Sequence, residues 1–247
     1  FLENFKETVG RDDIRSGGYQ VVVGGDAYGS GSSREVAVVA HQGAGIELVV
    51  ARSFQRIFQE NMVYGGMPFT TDFEVVERLK RGEEVLKQEL YGALPPFFSQ
   101  VANAGGLLEY GKAWLAGELE PWYSTRRASR PLNCVEKIIA RSTWVGGSPA
   151  SKSGPKFGID EVHPGDQVLC KAAFRGMHEY TAGMCMALYE EAFGKVPVHN
   201  PDQVACFEDH FVLIDSPTVP EGVKKARLAP ARRLAAEMVQ AAEYHGI

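Results

Sequence analysis

Two short apolar runs separated by a helical pattern constrain the fold of this chain more than any other feature. Residues 19–25 (YQVVVGG) and 46–51 (IELVVA) are rich in β-branched side chains, as buried strands are. Between them, residues 34–42 carry apolar side chains at helical spacing, and Gly43 then suits a C-terminal cap. Helical spacing returns over residues 54–62. The alternation predicts an α/β fold with a mostly parallel βαβα core and right-handed crossovers.

The composition of the chain changes after about residue 94. Up to that point a short strand over 69–71, a helix capped by Asp72 and a stop at Gly82 complete the first series. Residues 121–131 (PWYSTRRASRP) are basic and bounded by proline, which predicts an interdomain linker that acts as a hinge. Beyond the linker, the spacing predicts helices over 132–141, 181–193 and 224–245, and strands within 163–171 and 203–215.

Charge and cysteine content exclude several classes of protein. The 247 residues carry a formal net charge of -5, and no block of Lys and Arg marks a nucleic-acid or membrane surface. No apolar run approaches the roughly 20 residues of a membrane-spanning helix. The four cysteines form no CxxC pair, so we expect reduced, mostly buried thiols in a cytoplasmic protein, with a metal site made from these four as the less favoured alternative. Neither end of the sequence looks like a natural terminus, which predicts a piece of a longer protein.

One glycine-rich segment, residues 25–35 (GDAYGSGSSRE), carries the chemistry of the first third. Gly29 permits a turn that feeds the N-terminus of the next helix, where Ser32 and Glu35 have the spacing of a capping box. Backbone N–H groups and Arg34 together favour a bound anion. A phosphate loop needs Gly-Lys-Ser/Thr and a dinucleotide fingerprint needs a third glycine, and both are absent, so a small carboxylate fits best. Taken alone, the segment is more typical of a helix whose serines serve only as caps.

The motifs of the chain resemble those of the aconitase/3-isopropylmalate dehydratase superfamily. GSGSSRE, GAGI, ARSF and RIFQEN follow one another in the order and spacing of that superfamily's swivel domain, or small subunit. Four later motifs are similar to the start of its large catalytic subunit: VEKIIAR (135–141), HPGDQV (163–168), MHEYTAGM (177–184) and NPDQVACFEDHF (200–211). The resemblance implies a swivel domain over 1–96, a linker over 97–131 and, over 132–247, the N-terminal part of an incomplete α/β aconitase-type catalytic domain.

The resemblance also implies an activity and the residues that perform it. Members of this superfamily dehydrate and rehydrate a hydroxy di- or tricarboxylic acid of the 3-isopropylmalate or aconitate type. Ser32 matches the serine base, and Ser33 and Arg34 match contacts to the substrate carboxylates. His178 matches a substrate contact, although it can equally cap a helix. Asp209 and His210 match the pair that assists protonation of the departing hydroxyl, although without the resemblance they read as a turn.

A cofactor and a partner are implied in the same way. The superfamily uses a 4Fe-4S cluster, whose cysteine ligands we expect outside this chain, so that the chain alone is expected to be inactive and to bind neither cluster nor other metal. The expected partners are a hydroxy-carboxylate and the remainder of the catalytic domain, with no nucleic acid and no membrane. Val36 stands where many members have histidine. Arg52 is expected to support the fold, and the histidines at 41, 163, 199 and 245 are expected at the surface or in turns.

Two other functions remain open on the sequence. A swivel domain without the cluster would be a non-catalytic module that binds a carboxylate or phosphate. Some relatives bind RNA when they lose the cluster, but a net charge of -5 with no basic patch speaks against RNA binding here.

Overall fold

The computed structural model describes residues 8–10, 12–31, 35–91, 94–119 and 130–247. The chain divides into two compact units, Phe1–Cys170 and Lys171–Ile247. Each unit is described by itself below.

A three-stranded parallel sheet forms the centre of the first unit. Its strands are β1 (Val21–Gly24), β2 (Leu48–Ala51) and β3 (Phe69–Thr70), in the order β1-β2-β3. All four residues of β2 are buried, as expected of the middle strand of a sheet covered by helices. The predicted mixed α/β class with a parallel sheet is therefore confirmed.

Short helices connect and extend these strands. A first turn of helix, α1 (Asp13–Ser16), precedes β1; α2 (Val36–Gly43) joins β1 to β2, and α3 (Arg56–Tyr64) joins β2 to β3. Gly43 is the last residue of α2, and the left-handed residue that ends the helix is Gly45, with φ 86°. The helix predicted after Asp72 is α4 (Glu74–Lys80), and Asp72 Oδ1 accepts the backbone N–H of Glu74 at 2.9 Å.

Three more helices follow, and two of them lie in the range predicted as a linker. They are α5 (Lys87–Leu90), α6 (Pro96–Ala104) and α7 (Leu107–Ala116). Val101 of α6 and Tyr110 of α7 are buried in the same core cluster as Val49 of β2. Most of the predicted hinge, residues 121–129, lies outside the described residues, and the division into a swivel and a catalytic domain stays a prediction.

The rest of the first unit is a capped helix and a small hairpin. Helix α8 (Cys134–Ser142) precedes β4 (Trp144–Gly146), which pairs antiparallel with β5 (Lys156–Phe157). The predicted turn near His163 is present, since its N–H donates to Asp166 Oδ2 at 2.8 Å. The strand predicted after that turn is wrong: Cys170 forms only an isolated bridge with Thr143, so no ladder develops.

The second unit has two strands and two helices. Strand β6 (Arg175–His178) pairs parallel with β7 (Val204–Phe207), and α9 (Ala182–Phe193) and α10 (Glu221–His245) surround them. These elements confirm the predicted helices and the strand within 203–215. Few apolar side chains are buried here, whereas Phe174 and Leu213 are 64% and 74% exposed.

Several side chains lie at depths that the sequence did not indicate. His41 and His245 are buried, contrary to the prediction of surface positions, whereas His199 is exposed and His163 is half-buried. The cysteines at 134, 170 and 185 are exposed and Cys206 is half-buried, so the expectation of mostly buried thiols is wrong. No helix within the described ranges is long and apolar enough to cross a membrane.

Candidate active site

The glycine-rich loop after β1 is tied to the segment that follows β2. The N–H of Ala27 donates to Ser53 Oγ at 2.8 Å, and the N–H of Tyr28 donates to the Ser53 carbonyl at 2.9 Å. Arg52 pairs with Asp26 at 3.3 Å, and both side chains are exposed. These bonds fix the start of the loop at the carboxyl edge of the sheet, where α/β proteins usually bind ligands.

The rings of Tyr28, His41 and Phe58 pack against one another at the start of the loop. The Tyr28 hydroxyl lies 2.7 Å from His41 Nε2, and His41 Nδ1 lies 2.6 Å from the Ala37 carbonyl. These contacts fit a ring that donates from Nδ1 and accepts at Nε2. Burial raises the pKa of Tyr28 to about 12, and burial also lowers the pKa of His41, so both groups stay neutral near pH 7.

The three residues expected to act in this loop lie outside the described residues. Ser32, Ser33 and Arg34 follow Gly31, and α2 begins two residues after Arg34. The described flanks thus bracket them between a strand end and a helix start. Their roles stay predictions. The predicted capping box, which needs Glu35 as the third residue of the helix, is wrong, because Glu35 occupies the N-cap position of α2.

In the second unit, the parallel pairing brings the other predicted residues together. His178 is the last residue of β6 and is in register with Phe207, the last residue of β7. Asp209 and His210 follow Phe207 closely, so they meet His178 at the same edge of the pair. The His178 and His210 ring centroids are 4.5 Å apart.

A buried carboxylate lies beneath this group. Glu179 is 2% exposed, and its two oxygens accept the backbone N–H groups of Asp209 at 2.9 Å and His210 at 2.7 Å. Burial raises the pKa of Glu179, but these two N–H bonds, its own backbone N–H and the nearby His210 together outweigh burial and hold the pKa below its ordinary value. Glu179 is therefore ionised at neutral pH. Sequence reasoning missed this residue, and the available signal was an acid directly after a strand, inside the MHEYTAGM motif.

The ring of His210 has acidic groups on one side. His210 Nδ1 lies 3.4 Å from Asp209 Oδ2 and 3.7 Å from Glu179 Oε1. The Tyr180 ring packs against it with centroids 5.3 Å apart. A histidine in this setting, half-exposed and flanked by carboxylates, is suited to exchanging a proton with a bound molecule.

His178, Glu179 and His210 could hold a metal ion by proximity, since their ligand atoms lie within 4.8 Å of one another. His178 Nδ1, however, accepts the N–H of Tyr180 at 3.3 Å. A neutral ring that accepts at Nδ1 carries its proton on Nε2, and so offers no second lone pair to a metal. The geometry therefore favours proton chemistry over metal binding at this group.

An iron–sulfur cluster does not fit the residues that the structure describes. Such clusters are held by cysteine thiolates. All four cysteines lie in described ranges, but each compact unit contains only two of them. The one group of three or more metal-ligating side chains in those ranges contains no cysteine. No step below is therefore derived through a cluster.

A parallel sheet with a glycine-rich loop at its carboxyl edge places the first unit among the α/β proteins. Residues 11–71, which contain all three strands and this loop, match the family described as the aconitase C-terminal domain. The 3-isopropylmalate dehydratase small subunit of Aliarcobacter butzleri is 38% identical over 109 residues, which are 38% of this chain and 64% of that protein. The corresponding subunit of Hydrogenobaculum sp. is 36% identical over 110 residues, covering 39% of this chain and 67% of that protein.

Another relative comes from an archaeon. The isopropylmalate/citramalate isomerase small subunit of Methanocaldococcus jannaschii is 36% identical over 110 residues, covering 39% of this chain and 66% of that protein. A solved structure of 3-isopropylmalate dehydratase from the same organism is 30% identical over 44% of this chain and 69% of its own, with a TM-score of 0.31. The chain spans slightly less than two thirds of the first of these relatives. The chain belongs to the aconitase superfamily and carries a swivel domain like that of the 3-isopropylmalate dehydratase small subunits.

Proposed function

We propose that this chain works in an aconitase-type hydro-lyase that dehydrates and rehydrates a hydroxy di- or tricarboxylic acid of the 3-isopropylmalate or aconitate type. The observation that carries the proposal is the similarity to dehydratase small subunits, since the matched family segment, residues 11–71, includes the whole glycine-rich loop. The relatives are named small subunits, which supports a partner large subunit or catalytic domain.

The loop would perform the proton abstraction. Ser32, as its alkoxide, takes the proton from the carbon next to a substrate carboxylate, and Ser33 and Arg34 hold that carboxylate. A serine anion needs positive surroundings, which the start of a helix and a guanidinium supply. Arg34 also neutralises charge that develops on the carboxylate as the proton leaves.

The second unit would perform the protonation. As the carbon–oxygen bond breaks, His210 gives a proton to the departing hydroxyl, which leaves as water, and Asp209, 3.4 Å from His210 Nδ1, orients the ring. His178 would contact the substrate. Rehydration at the neighbouring carbon reverses these transfers. The family's 4Fe-4S cluster supplies Lewis-acid chemistry at the hydroxyl when bound, and we assign its ligands to the partner.

The second unit offers a physical reason for such a partner. Its sheet consists of two parallel strands, and parallel strands are usually found inside larger, covered sheets. Both outer edges lack a strand partner within residues 171–247, all of which the structure describes. The exposed side chains of Phe174 and Leu213 add an apolar surface that a larger catalytic domain would cover.

The test is turnover by the chain assembled anaerobically with the cluster-bearing large subunit or catalytic region. We expect 3-isopropylmalate or citrate to give the conjugated unsaturated acid, followed by its ultraviolet absorbance, and the chain alone to give none. Assembly without turnover of any hydroxy acid, together with saturable binding of a dicarboxylate to the chain, would instead favour the non-catalytic binding module.

A further inference from the structure

We infer that Glu179 is the positioning residue of the Asp209–His210 pair. This inference rests on the proposed function, in which that pair protonates the leaving hydroxyl. In this role, the buried side chain of Glu179 determines how the exposed side chains of Asp209 and His210 are oriented.

The first support is that both oxygens of the Glu179 carboxylate accept a hydrogen bond from the backbone of the pair. Each oxygen of Glu179 binds a different backbone N–H, of two consecutive residues located 30 and 31 positions further along the chain. A carboxylate bound in this way holds the two successive peptide groups on either side of Asp209, and charge-assisted bonds of this kind are about twice as strong as neutral ones. The direction in which both side chains leave the backbone is thereby set.

The second support is the absence of other anchors on the pair among the described contacts. Asp209 and His210 lie in a turn after β7, and both are exposed. Their side chains pair with each other at 3.4 Å, and the His210 ring packs on His178 and Tyr180. Those ring contacts orient the imidazole only if the backbone below is held, which Glu179 does.

The third support is the location of Glu179 itself. Because β6 and β7 are parallel and in register, the residue after His178 faces the residues that follow Phe207. An ionised carboxylate that is 2% exposed is costly unless its oxygens are fully bonded, so a purely incidental placement is disfavoured. Its contact with the pair explains why a charge is buried at this point.

The experiment compares Glu179→Gln with Glu208→Gln, which removes an exposed carboxylate beside the same pair. In the full chain, labelled with ¹⁵N, we expect Glu179→Gln to move the amide signals of Asp209 and His210 and Glu208→Gln to leave the His210 signal in place. In the assembled enzyme, we expect Glu179→Gln to lower kcat on the order of 100-fold, since a displacement of about 1 Å at a reacting group has that effect. KM should change by less than about threefold, because Glu179 affects the orientation of the proton donor and not the binding of the substrate.

Unchanged amide signals in Glu179→Gln would overturn the inference, as would normal kcat in a variant whose amides have moved. If Glu179→Gln unfolds the second unit, Glu179→Asp replaces it: the charge stays and the reach shortens, so intermediate losses in the same two readouts are expected, and parental values would contradict the inference. If the parent enzyme turns over no hydroxy acid, the proposed function fails, while the amide signals still decide whether Glu179 holds the pair.

Discussion

Gly29 occupies a point in the loop where no side chain fits. Its φ is 85°, and an added Cβ would lie 2.2 Å from Phe58 Cγ. We expect Gly29→Ala to lower the free energy of unfolding by roughly 1–3 kcal/mol, since both backbone strain and overpacking act there. Chemical denaturation of the full chain measures this change.

Gly25 offers a matched control four residues earlier in the same loop. An added Cβ at Gly25 meets nothing within 4 Å. Gly25→Ala should therefore change the unfolding free energy by less than about 0.5 kcal/mol. Equal effects of the two substitutions would mean that the loop does not pack on Phe58 as described.

The sequence predicted candidate site residues that lie within a recognisable motif. It did not predict those whose position depends on packing between distant parts of the chain. The resemblance to the superfamily singled out Asp209 and His210, and the structure places His210 beside His178 and Asp209. Glu179 was not predicted, because an isolated acidic residue after a strand usually faces solvent. Its candidate role depends on hydrogen bonds from backbone N–H groups about 30 residues further along the chain. His41 was misplaced for a similar reason, since its burial depends on Tyr28 rather than on its own helix.

At the scale of elements, helix α8 has an N-terminus that depends on pH. Asn133 Oδ1 accepts the N–H of Glu136 at 2.9 Å, and Glu136 Oε2 accepts the N–H of Asn133 at 3.0 Å. Arg130 adds two bonds to the same carboxylate, at 2.9 and 2.6 Å. The side-chain bonds from Arg130, together with the Asn133 N–H, lower the pKa of Glu136 from 4.5 to about 2.

The sign of the pH effect follows from that lowered pKa. Glu136 contributes stability above its unfolded value of about 4.5, and the contribution is lost as the pH falls from there towards about 2. We expect Glu136→Gln to lower Tm at pH 7 and the difference from the parent to shrink across that window. Glu109→Gln, which removes an exposed carboxylate paired with Lys112, is the control and should leave Tm nearly unchanged. A constant difference for Glu136→Gln at every pH would contradict the assignment.

The sequence did not predict helices α6 and α7, because the residues at their ends are ones that usually interrupt a helix. Pro95-Pro96 and Gly105-Gly106 read as a break, yet Pro96 begins α6 and the two glycines take positive φ between the helices. If α6 is part of the first core, Val101→Ala should cost roughly 1.5–3 kcal/mol, since Val101 is fully buried.

The control for α6 is a valine on an exposed helix face. Val135 of α8 is 63% exposed, so Val135→Ala should alter the unfolding free energy by less than about 0.5 kcal/mol. If Val101→Ala and Val135→Ala gave indistinguishable denaturation curves, α6 would not be part of the first core, and the predicted linker would be the better description of this segment.

For the whole molecule, the parallel sheet followed from strand and helix alternation, because two buried runs joined by a helix leave few other arrangements. The division into compact units depends on packing and not on a local pattern. The chain divides after Cys170, and the swivel, linker and catalytic domains stay a prediction. Residues 130–170 carry few long apolar runs, and they join the first unit through contacts such as Trp114 on Trp144, with centroids 5.9 Å apart, which no local pattern reveals.

The central proposal is that the glycine-rich loop delivers a serine base to a hydroxy-acid substrate. Ser32→Ala, measured in the assembled enzyme with its cluster intact, tests it most directly, and Ser30→Ala in the same loop is the matched control. We predict that Ser32→Ala lowers kcat on the order of 10²–10⁴-fold while Tm stays close to that of the parent, because proton transfer is lost and packing is not. Ser30→Ala should turn over like the parent. Parental turnover by Ser32→Ala would contradict the proposal and leave the loop as a helix cap.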